Sequence, residues 1–319
     1  MEAPRPILVP TDLSEAAERA LRCAVAWSRS DPDGPVPIHL LHVLDIVRSE
    51  VPAVVSDAVG AAPFWEQLEG AYGRELARLA ETYGESVPIT TEQRRDAAVV
   101  ATIADVARET AARFIVMGTH GRQGVGRLLL GSVAEEVVRQ APCDVVVTHE
   151  GGRDGCRLRR IVVPVDFSAA SLRMLEQAKA LAARHDGEVD LVHVFEEPVL
   201  PVLWPGPGVV QDLLPKLRDR ATVELERLRA RAGGPDVPVR AVLEIGHAAA
   251  GVLDHAAATG ADLIVMASHG YRGLGRFLLG SVAERVVREA PCPVYVHRME
   301  PGEEAEAEHA AATPEPGVH

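Results

Sequence analysis

Aromatic residues are scarce in this chain. Trp, Tyr and Phe make up 4% of its 319 residues, so a core must come mostly from Val, Leu, Ile and Ala. Cysteine is rarer still. Four are present, at 23, 143, 156 and 292, and none forms a C-x-x-C pair, which leaves no support for a zinc knuckle or a dithiol redox motif. Cys143 and Cys292 recur in the same setting, APC (141–143) and APC (290–292), and read as small buried hydrophobes at strand starts. No apolar run reaches the length of about 18 residues that a membrane span needs, and no leader-like segment opens the chain, so a cytoplasmic location is expected. An excess of positive charge is also missing. The net charge is −13, and six glutamates (Glu300, Glu303, Glu304, Glu306, Glu308 and Glu315) follow Arg298 with no Lys or Arg among them. An acidic body argues against nucleic acid or an anionic membrane as the main partner. The H-E-x-x-H spacing of a metal site is absent, and no metal site is expected.

What is present is an ordinary globular composition, 47% hydrophobic and 25% charged, and a repeat. RPILVPTDLS (5–14) answers RRIVVPVDFS (159–168), and LLHVLD (40–45) answers LVHVFE (191–196). MGTHGRQGVGRLLLGSVAEEVVRQAPC (117–143) answers MASHGYRGLGRFLLGSVAERVVREAPC (266–292), with 19 of 27 positions identical. The offsets of 154, 151 and 149 residues drift so little that a whole domain is repeated. The expected division is a first domain over 1–149, a polar glycine-rich linker over 150–158, a second domain over 159–299 and an acidic tail over 300–319. The tail is poor in large apolar residues and is expected to be disordered.

Within each copy, short Val/Ile/Leu-rich runs alternate with segments of helical periodicity. In the first copy the pattern predicts strands over 7–10, 38–43, 86–90, 114–117 and 144–148. Helices are predicted over 14–30, 63–84, 99–111 and 132–141. Such alternation implies a parallel sheet with helices on both faces, an α/β/α sandwich.

The segment GTHGRQGVGRLLLGS (118–132) follows the fourth strand, with five glycines. In parallel sheets, ligands collect beyond the carboxyl ends of the strands. Ser132-Val-Ala-Glu135 and Ser281-Val-Ala-Glu284 read as capping boxes that open the next helix. The free N–H groups of that first turn would face a phosphate, and Gly131 and Gly280 would let it approach the backbone. One helix end contributes about 0.3–1 kcal/mol to an anion, whereas micromolar affinity needs about 8 kcal/mol. Further donors and an apolar base pocket are therefore required. The turn after the first strand, PTDLS (10–14) or PVDFS (164–168), offers Asp12 or Asp166 to a ribose hydroxyl or an adenine amine. On spacing alone, the glycines fit a simple chain reversal better than a phosphate site. Neither G-x-x-x-x-G-K-[ST] nor a dinucleotide fingerprint is present.

The spacing Gly118-x-x-Gly121, nine residues, Gly131-Ser132 is similar to the ATP-binding signature of the universal stress protein family, G-2x-G-9x-G(S/T). The PTDLS turn, LLHVLD and APCDVVVT also resemble that family, twice over nearly the whole chain. The resemblance implies two flavodoxin-like, Rossmann-like domains, each with a five-stranded parallel sheet of order 3-2-1-4-5. It implies an ATP-binding, nucleotide-dependent stress-response regulator without rapid catalysis, ATP arriving with or without Mg²⁺. Its ligand set here is Pro10, Thr11, Asp12, Val43, Gly118, His120, Gly121, Arg122, Arg127, Gly131, Ser132 and Val133. In the second copy the set is Asp166, Val194, His269, Gly270, Arg276, Gly280, Ser281 and Val282. The family's last strand commonly pairs with that of a second domain, so 144–148 and 293–297 are expected to pair within the chain. Homodimerisation stays open.

Two departures stand out. Ala267 takes the place of the first signature glycine in the second copy, where a methyl would crowd a close phosphate or ribose, so unequal binding by the two halves is expected. Arg113 against Asp262, and Ala97 against Gly246, are expected to alter the adenine side of the first cleft. His120 and His269 recur in T/S-H-G, either as a general base or as a side chain packed near the loop. A weak Mg-dependent ATPase using His120 is the enzymatic alternative, and no carboxylate or lysine within the loop supports it. A nucleotide-free interaction protein is the other alternative. His42 and His193, inside apolar strands, read as satisfied core histidines.

Overall fold

The computed structural model describes residues 5–46, 61–119, 131–149, 158–197, 206–232, 237–268 and 279–298. Two compact units divide between Glu150 and Gly151. The first unit runs β1 (Ile7–Pro10), α1 (Glu15–Arg29), β2 (Ile38–Asp45), α2 (Ala61–Gly84), β3 (Ile89–Asp96), α3 (Val99–Glu109), β4 (Phe114–Gly118), α4 (Ser132–Gln140) and β5 (Asp144–Thr148). The second runs β6 (Arg160–Pro164), α5 (Ala169–Arg184), β7 (Glu188–Phe195), α6 (Gly206–Ala232), β8 (Val239–Ile245), α7 (Ala248–Thr259), β9 (Leu263–Ala267), α8 (Ser281–Glu289) and β10 (Val294–His297).

Within the first unit the strand order is β3-β2-β1-β4-β5, and within the second β8-β7-β6-β9-β10. All these pairings are parallel, with Ile7 opposite both Ile38 and Phe114 in the first unit. The flavodoxin-like order 3-2-1-4-5 expected from the family resemblance is therefore present twice. In the first unit α1 and α2 cover one face, joined by the Tyr83 hydroxyl donating to Glu18 at 2.7 Å, while α3 and α4 pack together on the other. The central strands are buried on both faces. Leu8, Val9, Leu40, Leu41, Val116 and Val146 are each fully enclosed, which is why these segments read as unbroken apolar runs.

The edge strand β3 differs from expectation. It spans Ile89–Asp96 rather than 86–90, and its sequence ITTEQRRD is polar. An edge strand buries only part of one side, and here polar pairing replaces apolar packing. His39 Nε2 lies 2.7 Å from Glu92 Oε2, and Arg94 bridges Glu92 and Glu109. Cys23 and Cys292 are buried in the core, and burial together with neighbouring Asp262 pushes the Cys292 thiol up to about 12. No helix among the described residues is long and apolar enough to cross a membrane.

Candidate functional site

The order 3-2-1-4-5 reverses between β1 and β4, so a crevice opens beyond the carboxyl ends of these two strands. Two segments border it in each unit: the turn after the first strand and the loop after the fourth.

The turn is built alike in both units. Thr11 N–H donates to Leu41 O at 2.8 Å, extending the β1–β2 ladder past Pro10, and Val165 does the same to Val192 O at 2.9 Å. His42 Nδ1–H donates to Thr11 O at 2.7 Å, and His193 Nδ1–H to Val165 O at 2.7 Å. The core histidines thus brace the turn from the second strand, a role beyond the packing read from sequence. The Tyr72 ring lies 4.6 Å from that of His42, and the Phe167 ring 4.4 Å from that of His193. Asp12 Oδ1 accepts from Ser14 N–H at 3.1 Å, and Asp166 Oδ1 from Ser168 N–H at 3.1 Å, an Asx turn each time. Between these residues Leu13 and Phe167 both take φ of 64°, a left-handed conformation that costs a side-chain-bearing residue about 1–3 kcal/mol. Ser14 and Ser168 then cap α1 and α5 through their side chains.

Across the crevice, the loop is pinned where it leaves the strand and where it enters the helix. Thr119 N–H donates to Thr148 O at 3.0 Å, and Gly131 N–H donates to Thr119 O at 2.7 Å. Ser268 and Gly280 repeat both bonds, to His297 O at 3.0 Å and to Ser268 O at 2.9 Å. The expected capping boxes do not form. Gly131 and Gly280 occupy the N-cap positions with extended backbone, no side-chain cap is made, and Ser132 and Ser281 are already the first helical residues. The N–H of Gly131 is drawn back to Thr119 O, and the helix starts at Ser132, one residue earlier than a Ser132 N-cap in the S-x-x-E pattern suggests. Glu135 instead pairs with Arg139 at 2.8 Å.

The sequence-derived residues fall into three groups. Pro10, Thr11, Asp12 and Val43, with Gly118, Gly131, Ser132 and Val133, stand at the carboxyl edge of the first sheet or at the helix start beyond it. Asp166, Val194, Gly280, Ser281 and Val282 hold the matching places in the second unit. His120, Gly121, Arg122, Arg127, His269, Gly270 and Arg276 lie outside the described residues, as do Cys156 and the tail. Arg113 and Asp262, expected near the adenine side, are at the opposite end. They precede β4 and β9, where Arg113 pairs with Asp31 at 2.7 Å and Asp262 accepts from Arg159 and Arg160 N–H at 3.0 Å each.

Ala97 and Gly246 do sit on the crevice side, just before the third helix of each unit. Gly246 has φ of 142°, where a side chain is strained. The third helices are capped by different acids. Ala98 N–H donates to Asp96 Oδ1 at 2.9 Å, whereas Ala248 N–H donates to Glu196 Oε1, from beyond β7, at 2.7 Å. The backbone ties of Thr119 and Ser268 went unread in the sequence, although both recur directly before His in the repeat.

Comparison with known proteins follows the same outline. The model of the universal stress protein family matches residues 4–149 and, again, 157–298. A universal stress protein of Mycolicibacterium smegmatis is 29% identical over 300 residues, 92% of this chain and 96% of its own. One from Mycobacterium tuberculosis is 30% identical over 287 residues, 86% of this chain and 92% of its own. Among solved structures, a universal stress protein from Archaeoglobus fulgidus aligns with a TM-score of 0.62 at 24% identity, over 92% of this chain and 98% of that one. A functionally unknown protein from Pseudomonas aeruginosa aligns with a TM-score of 0.66 at 18% identity, over 97% and 98% of the two chains. At these identities the structural likeness speaks for the fold. The two family matches, one per unit, carry the assignment: this chain belongs to the universal stress protein family.

Proposed function

We propose that the crevices bind adenine nucleotide, with ATP as the ligand, and that the chain is a cytoplasmic, nucleotide-dependent regulator of a stress response with slow or absent turnover. The observation behind this reading is the pinned loop of each unit. It ends on a glycine N-cap at the sheet's switch point, facing an Asx turn that carries Asp12 or Asp166. A phosphate at the start of α4 would meet backbone N–H groups with no capping side chain in competition. In this reading Asp12 and the backbone of Val43 take the ribose and adenine. Gly131, Ser132 and Val133 take the phosphates, with His120, Gly121, Arg122 and Arg127 completing the loop. Mg²⁺, where present, comes with the phosphates. Domains over 1–149 and 159–299, joined by 150–158 and paired through their final strands, belong to the same proposal.

Acid extraction of purified protein, followed by nucleotide analysis, tests it. Adenine nucleotide in the extract, or a thermal shift with millimolar ATP, is the expected result. A nucleotide-free protein with no shift would sink the proposal and leave the interaction-protein alternative. Repeated turnovers per minute, abolished by His120→Ala, would make the chain an ATPase instead.

A further inference from the structure

Gly118 ends β4 beside the crevice, yet its missing side chain would not point into it. A Cβ placed there would lie 2.9 Å from the carbonyl oxygen of Ala16, 3.0 Å from its carbonyl carbon and 3.2 Å from its Cβ. Ala16 is in the first turn of α1, two residues past the N-cap Ser14. It is buried, and α1 packs directly over β4. Two of the three contacts are backbone atoms, which cannot swing aside as a side-chain tip can. The space kept open at 118 is therefore filled by the helix.

We propose that Gly118 is a positioning residue. Lacking a Cβ, it lets the first turn of α1 seat on the end of β4, and this seat holds the preceding turn, with Asp12, in place at the crevice. In the second unit, Ala267 ends β9 at the matching position and Ala170, buried at the start of α5, matches Ala16. α5 packs over β9 as α1 does over β4. The methyl of Ala267 accordingly faces α5 and leaves the second crevice open to ligand. The chain then binds two nucleotides rather than one. This deepens, and rests on, the reading of the crevices as ATP sites.

The test uses the full chain, with ATP as the probe in equilibrium dialysis at a temperature where circular dichroism shows every variant folded. Hydrogen exchange is followed over residues 14–22. The wild type should bind two ATP. Gly118→Ala should speed exchange in the first turn of α1 and weaken ATP at one site by about tenfold. Adding Ala16→Gly should restore part of both, because it removes one of the three contacts. Ala267→Gly should leave stoichiometry and affinity unchanged. A Gly118→Ala protein that loses ATP affinity with α1 exchange unaltered would show direct ligand contact and overturn the proposal. So would a wild type that binds one ATP, or a second site gained on Ala267→Gly. If the wild type binds no ATP, the functional reading falls, and the exchange of α1 in Gly118→Ala alone decides the positioning role. If Gly118→Ala does not fold, the stoichiometry and the Ala267→Gly variant decide it.

Discussion

His42 on β2 donates its Nδ1–H to the carbonyl oxygen of Thr11 at 2.7 Å, and His193 on β7 makes the same bond to Val165. A carbonyl oxygen only accepts, so the proton must reside on Nδ1 in both imidazoles. Replacing His42 by Phe keeps a ring of similar size against Tyr72 but removes the donor to Thr11. The expected loss is about 1–3 kcal/mol in urea unfolding, with weaker ATP binding at the first site. Stability and affinity both equal to wild type would show that the bond does not brace the turn.

Leu13 adopts φ of 64° between the two ends of its Asx turn. Asn tolerates this conformation, and a β-branched residue is a genuine outlier there. Leu13→Val is expected to lower stability by about 1–2 kcal/mol, although it stays apolar. Leu13→Asn should cost less, despite losing apolar contact. Reversal of that order in thermal melts would contradict a strained turn.

The sequence made the repeat, the α/β class and most central elements legible, because strands buried on both faces leave unbroken apolar runs. The strand order came from family resemblance rather than from any pattern. β3 was misplaced because polar partners, His39 with Glu92 and Arg94 with Glu109, do the work of apolar contacts on an edge. The start of α4 at Ser132 falls where the helical pattern places it, but its cap is Gly131, one residue before the Ser132 that the capping-box pattern suggests. A Ser followed three positions later by Glu suggests a cap, but the bond from Gly131 N–H to Thr119 O lies in tertiary structure. Arg113 was assigned to the wrong end of the sheet, since a residue that precedes a parallel strand lies opposite the crevice. The places of Asp12, Val43 and Gly131 at the carboxyl edge of the sheet were legible because they sit in segments that recur.

Acid pH should act on the start of α3 through Asp96. Hydrogen bonds from Ala98 N–H, and then from Thr102, hold its carboxyl below the usual aspartate range. A folded value below the unfolded one means that its contribution is fully present above the unfolded pKa of about 3.9. The contribution is then lost as pH falls through the folded value. Asp96→Asn should therefore lower stability at neutral pH and flatten the acid limb of a stability profile. A mutant curve parallel to wild type between neutral and strongly acid pH would refute this.

Gly251, the fourth residue of α7, faces Val194, and a Cβ there would stand 2.9 Å from its Cγ2 and 3.0 Å from its Cγ1. Thr102 is the fourth residue of α3 in the first unit. Gly251→Ala should displace Val194, cost about 1–3 kcal/mol, and weaken nucleotide at the second site alone. Equal weakening at both sites, measured by titration, would count against separate crevices.

The bond between Gly131 and Thr119 joins the two ends of an eleven-residue segment, 120–130, and that between Gly280 and Ser268 joins the ends of another, 269–279. Both bonds are made by backbone atoms alone, so the spacing between the end of the strand and the start of the helix is held by contacts that no side-chain replacement within 120–130 or 269–279 removes.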